Sequence, residues 1–258
     1  MAFSESWDIK LNKKIHIGTM GWSYNFWVNN FYLSQTKPEN FLEEYSKHFD
    51  TVEVNSSFYG IPSISTLEQW KNQTPKNFLF SLKIPQKITH QKTETNSDYL
   101  YHFFTNVNHL GSKLGPLLFQ FPPSFKSSNI NFLNDLFSIL PKQLRYVLEV
   151  RHKSWLEGSF YRFLSENNIA LILGDSPWLN RKHDITSDFV YFRWEGNRKQ
   201  IKGTTGVVEK ERSGEIKKWA EEIQSLPDEL EVFGYFSKYY SGHPPTDAKQ
   251  ILTYLNTS

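Results

Sequence analysis

Cysteine is absent from the 258 residues. That excludes a disulfide scaffold, thiolate metal sites and cysteine nucleophiles together. No apolar run approaches the ~20 residues of a membrane helix. The first residues, MAFSESWDIKLNKKIHIG, carry charge where a secretory leader needs an apolar core. A soluble, cytoplasmic protein with no membrane partner is expected. Charge excess is small, because 29 Lys and Arg against 27 Asp and Glu leave +2 with His neutral. This argues against a nucleic-acid coat protein, whose phosphate contacts need a dense surplus of cations. No Gly/Ser- or Pro-rich linker divides the chain, and the HExxH, EF-hand, Walker and GxSxG signatures are missing. Aromatic residues are plentiful instead: 21 Phe, 13 Tyr and 8 Trp make 16% of the chain. Large rings must therefore supply much of the buried area.

Short apolar runs begin near Ile15, Thr51, Phe78, Leu117, Tyr146, Ala170, Phe189 and Val232. Their length is that of buried strands rather than helices. Between them lie helical periods, such as Phe41/Leu42/Tyr45/Phe49, Leu100/Phe103/Phe104/Val107 and Ile130/Leu133/Leu136/Phe137/Leu140. Phe160/Phe163/Leu164, Ile216/Trp219/Ala220/Ile223 and Ala248/Ile251/Leu252/Leu255 continue the series. The segment from Ser176 to Asp188 holds Pro177 and no helical period, so the sixth helix should be short or absent. Strands alternating with helices over this length predict an α/β fold, a TIM-like (β/α)8 barrel. One domain over 1–258 is expected, with an N-terminal extension over 1–14 and the barrel over about 15–256. An open doubly wound sheet fits less well, because Gly18-Thr19-Met20-Gly21 lacks the third glycine of a phosphate loop.

Polar residues interrupt these runs near their chain-forward ends. Glu53 and Asn55 share a face of the second strand, Lys83 closes the third, Gln120 the fourth, and Asp175 the sixth. Glu149 and Arg151 share a face of the fifth, and Tyr191, Arg193 and Glu195 one of the seventh. Charges there are costly unless paired or facing water, and the C-terminal mouth of a barrel is where this fold builds its sites. The rings Trp22, Tyr24, Trp27, Phe58, Tyr59, Trp155 and Trp178 follow the same strand ends, where they would stack on sugars or bases. His90 and His152 follow the third and fifth strands and are candidate proton carriers. The spacing further predicts that Glu149 and Arg151 engage different partners, with Asp175 the nearest for Arg151.

Gly18–Tyr24, Phe49–Tyr59, Ile88–His90, Leu114–Pro123 and Glu149–Trp155 together resemble the YecE-like family, a widespread family of domains of unknown function. Asp175-Ser176-Pro177 and Tyr191-Phe192-Arg193 extend the match in order. The resemblance covers about residues 15 to 255 and implies a TIM-like barrel without naming a reaction. Family members often carry His and Gly after the seventh-strand Arg, where this chain has Trp194-Glu195-Gly196. Many have paired Asn after the last strand, where it reads Phe236-Ser237-Lys238-Tyr239-Tyr240.

The leading expectation is an enzyme of a small anionic or sugar-like ligand. Lys83, Arg151 and Arg193 would hold an anionic group, with Gln120, Asn55, Trp22, Tyr24, Tyr59 and Trp155 completing the pocket. Glu149, Asp175 or Glu53 would act as general base with His90 or His152 as proton partner, and no cofactor. At such a site Glu149→Gln should leave stability unchanged or raised. A metal-dependent phosphodiesterase acting on nucleic acid is the first alternative, with those carboxylates holding a divalent metal. A non-catalytic small-molecule binder is the second. The sequence carries no signature of an oligomeric state.

Overall fold

The computed structural model describes residues 13–90, 97–175 and 184–257. Its strands are β1 (Ile15–Thr19), β2 (Thr51–Val54), β3 (Leu79–Lys83), β4 (Leu114–Gln120), β5 (Tyr146–Glu149), β6 (Ile169–Leu173), β7 (Phe189–Trp194) and β8 (Glu231–Phe236). They lie side by side in the order β1-β8-β7-β6-β5-β4-β3-β2, each neighbouring pair parallel. Between and after them run α1 (Phe41–Ser46), α2 (Ile64–Gln73), α3 (Gln86–Thr89), α4 (Ser97–Val107), α5 (Ile130–Ser138), α6 (Gly158–Glu166), α7 (Ser213–Ser225) and α8 (Pro244–Asn256). This is a TIM-like (β/α)8 barrel, nearly closed. No described helix is long and apolar enough to cross a membrane.

Both faces of each strand are buried, which is why the runs read as continuously apolar. Val52, Phe80, Leu148 and Phe192 join the core with the helices. Alternate residues, including Leu118, Val147, Ile172, Tyr191, Phe233 and Tyr235, fill the barrel interior. Closure between β1 and β2 is made by a side chain. The Tyr45 hydroxyl accepts the Thr19 N–H (2.9 Å) and donates to the Thr51 carbonyl (3.1 Å). Residue 18 must be glycine here, because a Cβ would sit 2.2 Å from the Thr51 carbonyl oxygen. One rung further, Met20 bridges Glu53 in parallel.

Three elements differ from the sequence expectation, one of them the short α3, which has no counterpart among the expected helices. β4 starts at Leu114, through Gly115-Pro116, a pair that reads as a turn. Proline cannot donate to the ladder, and the β3–β4 register shifts there, between Phe80 and Leu82. α2 has no counterpart among the expected helices, since Leu67 is its one buried residue and its period is weak. Ser63 caps it by accepting the Thr66 N–H. The expectation for the sixth helix falls mainly on 176–183, outside the described residues, and the described residues on either side carry no helix.

Candidate active site

The strand ends of β2, β3, β4, β5 and β7 bring their polar residues together at one end of the barrel. Arg193, 2% exposed, is the centre. Its Nε and Nη2 form a fork on Glu53, at 2.9 and 3.0 Å. Its Nη1 meets Glu149 and, at 2.6 Å, Glu195. Glu53 takes two further donors, the Tyr191 hydroxyl at 2.9 Å and the Asn55 amide at 3.0 Å. Glu149 takes the Arg151 Nε at 2.7 Å and the Gln120 amide at 2.8 Å. Both glutamates are fully buried. An isolated carboxylate in such a place would be strongly disfavoured, and both are ringed by hydrogen-bond donors instead. Burial alone would push the Glu149 carboxyl up, but Arg193 and Arg151 outweigh it and hold it well below the usual carboxylate range.

Lys83 stands beside this network. Its Nζ donates to Gln120 Oε1 at 2.5 Å and lies 3.8 Å from the centre of the Phe58 ring. Glu149, acceptor-only when ionised, turns the Gln120 NH2 toward itself and so the amide oxygen toward the lysine. Burial and the nearby Arg193 push the Lys83 amine down to about 8, against the pull of Glu149 and Glu53. Among the described residues Lys83 forms no ion pair with a carboxylate.

Above these residues opens a cavity of about 310 Å³. Lys83, Gln120, Arg193 and Glu195 line its inner part, and Tyr24, Phe58, Tyr59, Arg198, Ser237, Lys238 and Tyr239 its sides. Gly196, at φ +69°, lets the loop after β7 lie against the loop after β8, since a Cβ would come within 2.0 Å of the Tyr239 carbonyl oxygen. That approach brings Glu195 and Arg198 beside Ser237 and Lys238. Among the described residues no group of three or more His, Asp and Glu is arranged to hold a metal ion. Arg193 occupies the space between Glu53 and Glu149 that a shared cation would need.

Residues 16–258 match the family model described as protein of unknown function DUF72. The chain belongs to the DUF72 family. It is 31% identical over 168 residues to the UPF0759 protein YecE of Escherichia coli K12, a match covering 63% of this chain and 59% of that protein. It is 27% identical over 272 residues to the UPF0759 protein YunF of Bacillus subtilis, covering 94% and 95%. A DUF72 family protein of Thermotoga maritima superposes with TM-score 0.80 at 27% identity, over 94% of this chain and 99% of that one. A DUF72 family protein of Enterococcus faecalis gives 0.75 at 24%, over 96% and 99%, a likeness of fold.

Within this DUF72 chain the structure gathers Glu53, Asn55, Lys83, Gln120, Glu149, Arg151 and Arg193, with Tyr24 and Tyr59 on the cavity wall. Several expected members stand elsewhere. The Asp175 carboxylate accepts Arg212 at 2.8 Å and stays partly exposed, while the Asp175 backbone carbonyl accepts the Glu195 N–H. Arg151 turns back two residues along the chain to pair with Glu149 rather than Asp175, and its Nη2 also lies 4.0 Å from Glu195, while Glu149 in addition meets Arg193. Trp155 is buried, stacked on Phe125, and donates its indole N–H to the Phe125 carbonyl at 2.8 Å. Trp22 packs edge-on against Trp70, and Trp27 is fully buried. These rings belong to the apolar packing behind the loops rather than to the cavity. The His152 Nδ1 accepts the Ser154 N–H, capping the short turn at Lys153–Trp155. His90 packs edge-on on Phe58, with Nδ1 2.8 Å from Thr89 Oγ1; burial and the cations Lys83 and Arg151 lower its pKa. Trp178 lies outside the described residues. Sequence reasoning missed Arg198, Lys238 and Tyr239, whose one signal was their place just after the seventh and eighth strands.

Proposed function

We propose that the barrel mouth is the active site of an enzyme acting on a small anionic compound. The observation that carries this reading is charge. The network and cavity wall contain Arg151, Arg193, Lys83, Arg198 and Lys238 against Glu53, Glu149 and Glu195, an excess of two positive charges. The buried glutamates are consumed by Arg193 and Arg151, so the excess faces the cavity. A volume of about 310 Å³ suits a small metabolite. The tyrosine walls suit a flat or sugar-like body beside the anionic group.

The acid–base roles shift from those the residue types suggest. Glu53 already accepts four hydrogen bonds, the capacity of a carboxylate, which leaves it no lone pair for a substrate proton. Glu149 is held ionised and is a weak base. Both serve to fix Arg193 and Gln120. Lys83, at about 8, is the cavity group that exchanges a proton near neutral pH. A divalent metal at Glu53, Glu149 and Asp175 has less support, because Arg193 and Arg212 hold those carboxylates.

Calorimetric titration with inorganic phosphate tests the site. Phosphate should bind, more weakly as salt is raised. Arg198→Ala and Lys238→Ala should each weaken it up to about fivefold, as expected of exposed charges. Unchanged affinity in the double variant would remove the mouth from consideration as an anion site. Binding by an otherwise inert protein would favour the simple binder over the enzyme.

A further inference from the structure

We propose that Lys83 is an imine-forming amine, and that the compound bound at the mouth is a small carbonyl compound carrying a carboxylate or phosphate. This rests on the anion site proposed above and names the chemistry performed in it. Four features of the geometry carry it.

Lys83 is the last residue of β3, it lines the cavity, and its residue is 8% exposed, so its amine is held on a rigid strand. Lys238, the other amine of the cavity wall, sits on the loop after β8. A buried lysine with a structural task normally meets a carboxylate, yet three carboxylates stand nearby and arginines engage them all. The partner of Lys83 is the neutral oxygen of Gln120, which accepts from an ammonium and, more weakly, from a neutral amine. A neutral amine thus keeps its anchor and still has its lone pair. Finally, the Phe58 ring at 3.8 Å shields the nitrogen from water and offers its face to a cation, and the iminium product is a cation.

Desolvation beside another cation is the arrangement that frees a lysine for attack on carbonyl carbon. Burial and Arg193 act here in that sense, with the amine at about 8. In the step itself, the ammonium of Lys83 first gives up one proton. Its lone pair forms the C–N bond while the carbonyl π pair moves to oxygen, and one proton passes from the now cationic nitrogen to that oxygen to give a neutral carbinolamine. The hydroxyl then leaves as water, carrying the proton released at the start, and the nitrogen lone pair closes the C=N bond of the iminium. One carbonyl and one ammonium become one iminium and one water, with no oxidant or reductant. The acid group of the substrate would lie toward Arg198 and Lys238, and the iminium would then draw electrons from the adjacent carbon.

Reductive trapping tests the proposal. The intact protein is incubated separately with pyruvate, glyoxylate and dihydroxyacetone phosphate, reduced with borohydride, and examined by intact mass and peptide mapping. At least one compound should label Lys83 roughly tenfold faster than any other lysine. Labelling should rise as pH increases through about 8 and be suppressed by inorganic phosphate. Lys83→Arg and Lys83→Met should abolish it, and circular dichroism with phosphate titration shows whether each variant keeps its fold and its anion site. If phosphate binds to the parent while none of the three compounds labels Lys83 above the surface lysines, the imine proposal is overturned and the anion site stands. If phosphate does not bind either, both fall.

Discussion

Arg193 shows how much a single residue organises. Its guanidinium spends Nε and Nη2 on Glu53 and Nη1 on Glu149 and Glu195, so three acidic side chains from two distant strands and a loop converge on one planar cation. Arg193→Met would strand two fully buried carboxylates. Removing one partner of a buried pair costs about 3–5 kcal/mol, which for a chain of this size lowers Tm on the order of 10 °C. Glu149→Gln should cost less, since Arg193 keeps Glu53 and Glu195 and the new amide still fills the space. It should nonetheless be destabilising, which reverses the expectation from sequence, because Glu149 proves to be a satisfied acceptor rather than a strained one. Thermal melts of both variants beside the parent check the order. An Arg193→Met melt within two degrees of the parent would contradict the account of the network.

At the scale of elements, the weak seam of the barrel is β1 against β2. The ladder is replaced there by the Tyr45 hydroxyl from α1, fully buried, with Thr51 Oγ1 bonded in turn to the Tyr235 hydroxyl at 2.7 Å. Tyr45→Phe would keep the ring packing and leave a buried N–H and a buried carbonyl without their partner. The expected cost is about 1–3 kcal/mol. Hydrogen exchange should accelerate at the Thr19 amide more than at amides of β4 or β5, and equal protection in parent and variant would show that another group closes the seam. The strands themselves were legible in the sequence to within a few residues, because burial on both faces leaves a continuous apolar run. The start of β4 was not, since Gly-Pro has the same local appearance in a turn and in a bulged strand. Tyr45 was legible as a core residue of α1, but its hydroxyl's role depends on which two strands happen to meet beneath it.

The whole molecule holds a second charged cluster at the opposite end of the barrel. His16 of β1 lies 2.7 Å from Asp50 and 3.1 Å from Glu231, which also binds Arg145 at 2.6 Å, and its ring stacks on Phe233. Burial disfavours the imidazolium, but the hydrogen bonds to Asp50 and Glu231 outweigh it and raise the pKa from 6.5 to about 9. A raised pKa stabilises the fold fully below 6.5 and loses its effect as pH climbs through 9. The parent should exceed His16→Gln in stability by about 1–2 kcal/mol at pH 6, after allowance for solvent screening. The gap should close by pH 10, as read by denaturant titrations at several pH values. A gap that stays constant with pH would mean the imidazole is not charged in the folded protein.

Local pattern alone determined the order of the eight strands and of six of the helices, the barrel they form, and the end at which Glu53, Lys83, Gln120, Glu149 and Arg193 gather. Alternation of side chains along a strand and parallel succession of strands require no knowledge of contacts, and the family motifs run in the same order. The tertiary structure alone decided the pairings. Arg193 and Glu53 stand 140 positions apart in the chain, and whether they touch depends on strand register, closure and rotamer. For the same reason Asp175, at an equivalent strand end, was captured by Arg212 from the loop before α7, and Trp155, with the same ring as a stacking residue, was captured by the Phe125 carbonyl. Residue type shows what a side chain is able to do, but only the distance to its neighbours, set across the barrel, decides which of those interactions it makes.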